Sequence, residues 1–275
     1  MITRIRRILD WFSGKKYGTS FVNLLKIILS PPTSLKRRIR SKKMIRQIKE
    51  TEKYYIVYFK VVEHPLYYPK NMPLEALEHV ISELCYDFDD HYYEINETKV
   101  GTDDVVVDCG AAEGLFSLLI EKRCKKVYVV EPLPDYLDSL KLTFENSENV
   151  EIIPYALGAK TGKGILSNEN MCSSIITSGE GVNVEISTID DLFYKKGIRI
   201  SYIKSDLEGY DLAMLKGAEN TIKQYHPKIA VTVYHKPDDG REIEEYLKRI
   251  NPKYKIILKG VYYNPFKNYM LHAWM

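Results

Sequence analysis

Four acids and one histidine stand where short apolar runs end. Asp108 closes "VVVD", Glu131 closes "VYVVE", Asp206 and Glu208 follow "YIKS", and His235 follows "AVTVY". When strands run parallel, residues at their carboxyl ends share one edge of the sheet, so positions far apart in sequence meet in one crevice. Carboxylates in such a crevice hold ribose hydroxyls or orient a nucleophile, and an imidazole takes up its proton. Asp108 runs into "CGAAEG", where Gly110, Ala111, Ala112, Glu113 and Gly114 form a turn ahead of the helical spacing in "LFSLL". Glycines at such a turn serve close helix–strand packing, or they let backbone N–H groups approach a ligand at a helix start. Glu131 lies 23 residues past Asp108, the separation at which a second strand-end acid holds a ribose diol. Turn and acid together specify a nucleoside-containing cofactor.

These residues require a particular scaffold. Apolar strands are predicted at about 104–108, 126–130, 150–154, 200–206, 227–234 and 253–259, mostly separated by helical segments such as "PDYLDSLKLTFENS" and "GREIEEYLKRI". That alternation predicts a Rossmann-like α/β fold, with a mainly parallel, doubly wound sheet covered on both faces. The last stretch, "KYKIILKGVYYNPFKNYMLHAWM", leaves no room for a helix and predicts an antiparallel hairpin at the sheet edge, turning at Asn264 and Pro265. The cofactor loop departs from the dinucleotide fingerprint, since Ala112 stands near its centre and Asp108 is a poor neighbour for a pyrophosphate. S-adenosylmethionine offers a ribose, an ammonium group and no phosphate. It suits the loop better than a nicotinamide cofactor does.

Ahead of the sheet the chain changes character twice. Residues 1–50 hold 14 Lys and Arg against Asp10 and Glu50, a net charge of +12, whereas the remaining 26 Lys and Arg against 35 Asp and Glu leave −9. In "MITRIRRILDWF", Ile2, Ile5, Leu9 and Phe12 fall on one helical face flanked by arginines, and a second basic helix is predicted over about 34–51 after Pro31 and Pro32. An extension packed on its own domain or on a second subunit is the favoured reading of this arm, with peripheral contact to an anionic membrane as the alternative. Nucleic acid is not expected, because "SLKRRIRSKK" lacks interleaved aromatic residues. No signal peptide or transmembrane span is expected, and four cysteines without CxxC spacing suit a cytosolic protein with reduced thiols. "YYIVYFKVVEHPLYYP" predicts a hairpin and "PLEALEHVISELC" a helix opened by Pro73, together a cap on the sheet. The expected organisation is a basic helical arm over 1–52, a cap over 53–100 and a cofactor-binding domain over 101–275.

Six stretches in order, "VVVDCGAAEGLFSLL", "VYVVEPLPD", "IIPYALGAKTGKG", "VEISTIDDL", "IKSDLEGYDLAMLKGAENTI" and "VYHKPDD", resemble the FkbM-type S-adenosylmethionine-dependent methyltransferases over about residues 90–275. The resemblance implies a class I methyltransferase fold with a seven-stranded sheet. It also implies methyl transfer to a hydroxyl, often on a sugar of a surface polysaccharide or glycolipid. Carried over residue by residue, it sets Asp108, Gly110, Ala111, Ala112, Glu113, Gly114, Glu131, Tyr155, Ala156 and Asp206 at the cofactor. Asp206 and Glu208 would orient the acceptor, with His235 as general base. Duller roles compete: Asp211 as a helix N-cap, Lys204 and Lys236 as rim or ion-pair groups, and His235 as a satisfied strand-end histidine. A divalent cation on Asp206 and Glu208 is a minority reading, so no metal is expected. His64, His79, His91, His226 and His272 stand in no ligating pattern, while Ser173 and Ser174 lie in a segment that could close over the cofactor. A homo-oligomer is compatible with the arm. Two rival functions are a nicotinamide-dependent oxidoreductase and a non-catalytic scaffold working through its basic arm.

Overall fold

A computed structural model describes residues 2–167, 175–176, 181–263 and 266–275. The arm forms three helices, α1 (Ile2–Phe12), α2 (Phe21–Leu29) and α3 (Thr33–Met44). Ser20 caps α2 by accepting the Asn23 N–H, and the proline pair at 31 and 32 separates α2 from α3. The predicted second basic helix is shorter than its charge pattern implies. It stops at Met44, and residues 45–50 form strand β1 (Ile45–Glu50) instead, pairing antiparallel with β2 (Tyr54–Phe59). β3 (Leu66–Pro69) completes a three-stranded antiparallel sheet, and Pro73 precedes α4 (Leu74–Leu84) as expected.

The main sheet follows the predicted alternation. Its parallel part comprises β4 (Val105–Cys109), α5 (Leu115–Ile120), β5 (Lys126–Val130), α6 (Pro134–Thr143) and β6 (Val150–Ile153). A small side sheet then intervenes, built from β7 (Ala156–Leu157), β8 (Gly162–Ser167), β9 (Ile175–Ile176) and β10 (Gly181–Ser187). The chain returns through α7 (Ile189–Leu192), β11 (Tyr202–Ser205), α8 (Asp211–Lys216), α9 (Glu219–Tyr225), β12 (Lys228–Thr232) and α10 (Asp239–Ile250). It ends in β13 (Lys255–Lys259), a short pair β14 (Tyr262–Tyr263) and β15 (Phe266–Lys267), and β16 (Met270–Trp274). The seven strands stand in the order β13-β16-β12-β11-β4-β5-β6, with β16 antiparallel to both neighbours. The C-terminal antiparallel pair is therefore present, inserted so that β16 lies inside the sheet and β13 at its edge. The predicted turn at residues 264–265 and the Ser173–Ser174 segment lie outside the described residues.

Each face of this sheet has its own core. Met214, Ile222, Ile243 and Leu247 cover one face from α8, α9 and α10. On the other face the cap's Val57, Phe59, Leu66, Leu77 and Ile81 share one apolar cluster with Leu115 and Leu140 of α5 and α6. The cap is thus part of the domain's core rather than a lid at one end.

Gly110 answers which demand its turn meets. It has φ +69°, and a Cβ there would run into the carbonyl oxygen of Asp206, so close backbone packing between the two strand-end loops requires glycine. Gly110→Ala should destabilise the protein by more than about 2 kcal/mol, lowering Tm in a thermal melt by roughly 5 °C. An unchanged melt would show that the two loops separate freely.

Candidate functional site

A cavity of about 290 Å³ opens beyond the carboxyl ends of β4, β5, β6 and β11, where strand order reverses between β4 and β11. Gly110, Ala112 and Glu113 form its floor, Glu131 and Leu133 one wall, Tyr155 to Leu157 another, and Asp206 to Glu208 the far end. Five carboxylates line it, from Glu83, Glu113, Glu131, Asp206 and Glu208, and none of its described lining residues is Lys or Arg. Burial pushes Glu131 and Glu113 up to about 7, against the opposing pull of backbone donors and of Lys204. Glu131 is held edge-on by two backbone donors, the N–H of Ala112 at 2.9 Å and that of Leu133 at 2.9 Å. Two lining residues, Ala112 (φ +49°) and Glu208 (φ +50°), occupy the left-handed region without being glycine, a strain that folds tend to retain at functional sites.

Several predicted site residues lie elsewhere. Asp108 is fully buried and does not reach the cavity wall: Lys204 Nζ sits 2.8 Å from its carboxylate, and the Ser117 hydroxyl donates to it at 2.7 Å. Its charge is balanced within the protein by Lys204. Lys204 also donates to the Gly110 carbonyl at 2.8 Å, which makes it a loop-fixing ion-pair group rather than a rim residue. Ala111 packs into the core, and a Cβ on Gly114 (φ +85°) would meet Leu140, so neither contributes to the wall. Asp211 is not an N-cap but the first residue of α8. Its buried carboxylate accepts from the Ser205 hydroxyl at 2.6 Å and the Leu207 N–H at 3.1 Å, and burial raises it to about 6. Lys236 follows the rim reading, with its amine on the Gly209 carbonyl and over the Tyr210 ring.

At the far end Asp206 accepts from the Tyr93 hydroxyl at 2.8 Å and from the Thr232 hydroxyl at 3.0 Å. Burial works against its charge, but His91, His235 and Lys204 outweigh that and hold it below the ordinary carboxylate range. His235 stands off the cavity wall, with Nε2 2.9 Å from Glu208 Oε2 and 3.7 Å from Asp206 Oδ1. Burial opposes its charge too, yet Glu208, Asp206 and Asp211 raise its pKa, and Glu208 engages its Nε2. Asp206, Glu208 and His235 each bring one ligand atom within 4.8 Å of the others, a spacing that a cation could use.

His91, absent from the predicted site residues, lines the cavity beside Asp206, with His79 further along the wall. Its Nε2 lies 3.9 Å from Asp206 Oδ2 and its Nδ1 3.6 Å from Glu83, and neither ring nitrogen has a hydrogen-bond partner. Tyr93 was missed for the same reason. Both lie in "DHYYE", more than a hundred residues before Asp206, and no local spacing announces the contact.

A family model described as the methyltransferase FkbM domain matches residues 108–254. Hexuronic acid methyltransferase AglP of Haloferax volcanii is 27% identical over 156 residues, covering 53% of this chain and 62% of that enzyme. The crystal structure of a methyltransferase FkbM from Methylobacillus flagellatus superposes with TM-score 0.51 at 22% identity, covering 73% of this chain and 53% of the other. A putative methyltransferase of Streptococcus mutans, solved with SAH, aligns at TM-score 0.42 and 11% identity over 64% of this chain and 90% of that one. The chain thus spans less than two thirds of the first two relatives it matches. With the family model covering more than half of its length and a shared fold, this chain belongs to the FkbM methyltransferase domain family.

Proposed function

We propose that this protein transfers the methyl group of S-adenosylmethionine to a hydroxyl of a sugar, within a surface polysaccharide, a glycolipid or a related glycan. The observation that carries the reading is the charge of the cavity: five carboxylates and no described Lys or Arg suit a sulfonium and an ammonium group and repel a pyrophosphate. That same charge disfavours the nicotinamide alternative. Glu131 is turned by its two amide donors to accept from both ribose hydroxyls, and Tyr155, Ala156 and Leu157 offer an apolar slot for the adenine. Bound in this way, S-adenosylmethionine supplies an electrophilic methyl carbon. The protein's part is to align an acceptor oxygen in line with it and to remove the hydroxyl proton. Asp206, fixed by Tyr93 and Thr232, orients that hydroxyl, and His91 takes the proton as base, taking the role first given to His235. His235 and Glu208 form an ion pair that positions Asp206. With His91 as base the transfer needs no metal, so turnover should survive a chelator.

Calorimetry tests the cofactor. Micromolar binding of S-adenosylmethionine and S-adenosylhomocysteine, with no binding of NAD or NADP, is the expected result. Binding of NAD alone would overturn the reading. The name of the Haloferax relative, a hexuronic acid methyltransferase, supports a sugar acceptor.

The arm's outer face supports peripheral contact with an anionic membrane. Leu9, Phe12, Val22, Leu25 and Leu29 stand exposed on α1 and α2, Leu29 to 80%, among cationic side chains and with Asp10 the only acid of both helices. Two copies docked through this face would set like charges together, whereas anionic headgroups would neutralise them. Among the described residues no helix is long and apolar enough to cross a membrane. The full chain should float with anionic but not zwitterionic vesicles, and Leu9→Glu with Phe12→Glu should abolish flotation. Equal flotation with both vesicle types would remove the electrostatic part of the proposal.

A further inference from the structure

A second cavity, of about 340 Å³, lies between the arm and the domain and adjoins the first: His79, Glu83, His91 and Tyr234 line both. Its polarity is the reverse of its neighbour's. Arg4, Lys36, Arg37 and Arg40 enter it from the arm. The acids that line it are already engaged: Asp89 by Arg40 and by Lys36, Asp90 by Arg7, and Glu83 by His91. Arg4 is committed to the carbonyls of Ile28 and Ser30, where it ties α1 to the end of α2. Arg37 is different. Its one hydrogen bond runs from Nη2 to His79 at 2.8 Å, and among the described residues no carboxylate lies within ion-pair distance of it. A half-buried guanidinium with donors to spare and no counter-ion, lining a cavity, is built to receive an anion.

We propose that this cavity is an anion subsite for the acceptor, binding a carboxylate or phosphate carried by the glycan whose hydroxyl reaches Asp206. Arg37 is the principal binding residue and Lys36 its neighbour. The two cavities then sort the two substrates by charge, a cationic methyl donor on the acidic side and an anionic acceptor on the basic side. The acceptor part rests on the methyltransferase reading; the binding of anions at Arg37 does not.

The test uses the full chain, with and without S-adenosylhomocysteine. Glucuronate, glucose 1-phosphate and methyl glucoside are titrated by calorimetry or ligand-observed NMR into the wild type, Arg37→Gln, Lys36→Gln and a Lys42→Gln/Lys43→Gln control on the exposed end of α3. The charged sugars should bind at least about tenfold more tightly than methyl glucoside, and Arg37→Gln should remove most of that advantage. Arg37→Lys should restore part of it, while the surface control and the affinity for S-adenosylhomocysteine stay unchanged. Preference for glucuronate or for glucose 1-phosphate identifies the anion. Equal binding of neutral and charged sugars, indifference to Arg37→Gln, or loss in the surface control alone would overturn the subsite. If S-adenosylhomocysteine fails to bind but Arg37-dependent anion binding persists, the methyltransferase reading falls and the subsite stands.

Discussion

Asp206→Asn is expected to lower turnover roughly a thousandfold, within the range that positioned acid–base groups contribute, and to leave affinity for S-adenosylhomocysteine within about threefold. The asparagine keeps the shape, but the Tyr93 and Thr232 hydroxyls now donate to different oxygens of Asp206. The asparagine's single amide oxygen can accept from only one of them, and the other hydroxyl must turn to accept from the amide NH2. Asparagine also lacks the charge that holds an imidazolium at His91 once the proton has moved. His91→Asn should cost a similar factor, and the double variant little more than either single one, because the two groups act as a unit. His235→Asn should cost only about tenfold, since that ring is off the cavity wall. Comparable losses for His235→Asn and His91→Asn, measured as kcat on a sugar acceptor, would return the base role to His235. Full activity in all three variants would show that other residues activate the acceptor.

The second large effect concerns Glu131. Two hydrogen bonds from ribose hydroxyls to a buried carboxylate are worth about 3 kcal/mol together, so Glu131→Ala should weaken S-adenosylmethionine binding by about a hundredfold in calorimetry. An affinity unchanged by the substitution would place the ribose elsewhere. The effect carries a pH signature. In the empty protein Glu131 titrates near 7, because burial disfavours its charge, and the ribose donors favour the ionised form. Affinity should therefore fall as pH drops from about 8 to about 6, and Glu131→Gln should flatten that fall. Folding responds in the opposite sense. A carboxyl whose folded pKa is raised costs nothing below its unfolded value near 4.5 and destabilises the fold as pH rises through about 7. Glu113, also raised to about 7, adds to this trend. The ligand-free protein should melt at a lower temperature at pH 8 than at pH 6, and the cofactor should raise Tm more at pH 8.

Much of this protein is legible in its sequence because strand ends and the turns after them are local events. The run from Val105 to Gly114 announces a strand, a tight turn and a helix, and Glu131 closes the next strand at the separation a ribose site demands. The parallel, doubly wound character of the sheet follows from the same alternation. Three things were decided by tertiary structure. Asp108 reads as a ligand acid, but Lys204, 96 residues away, neutralises it in the interior, and no local pattern records that pairing. His91 and Tyr93 meet Asp206 because the loop after α4 is folded back over β11, a contact set by packing of the cap on the sheet. The arm reads as an extension packed on its own domain or on a second subunit, but only the fold shows that Arg4, Lys36, Arg37 and Arg40 are the cations that line a cavity against the domain. Sequence by itself determines where backbone must turn and which residues end a strand, since sterics and periodicity act over a few residues. Which charges are balanced and which are left facing a cavity depends on groups brought together from across the chain, and only the packed fold fixes that.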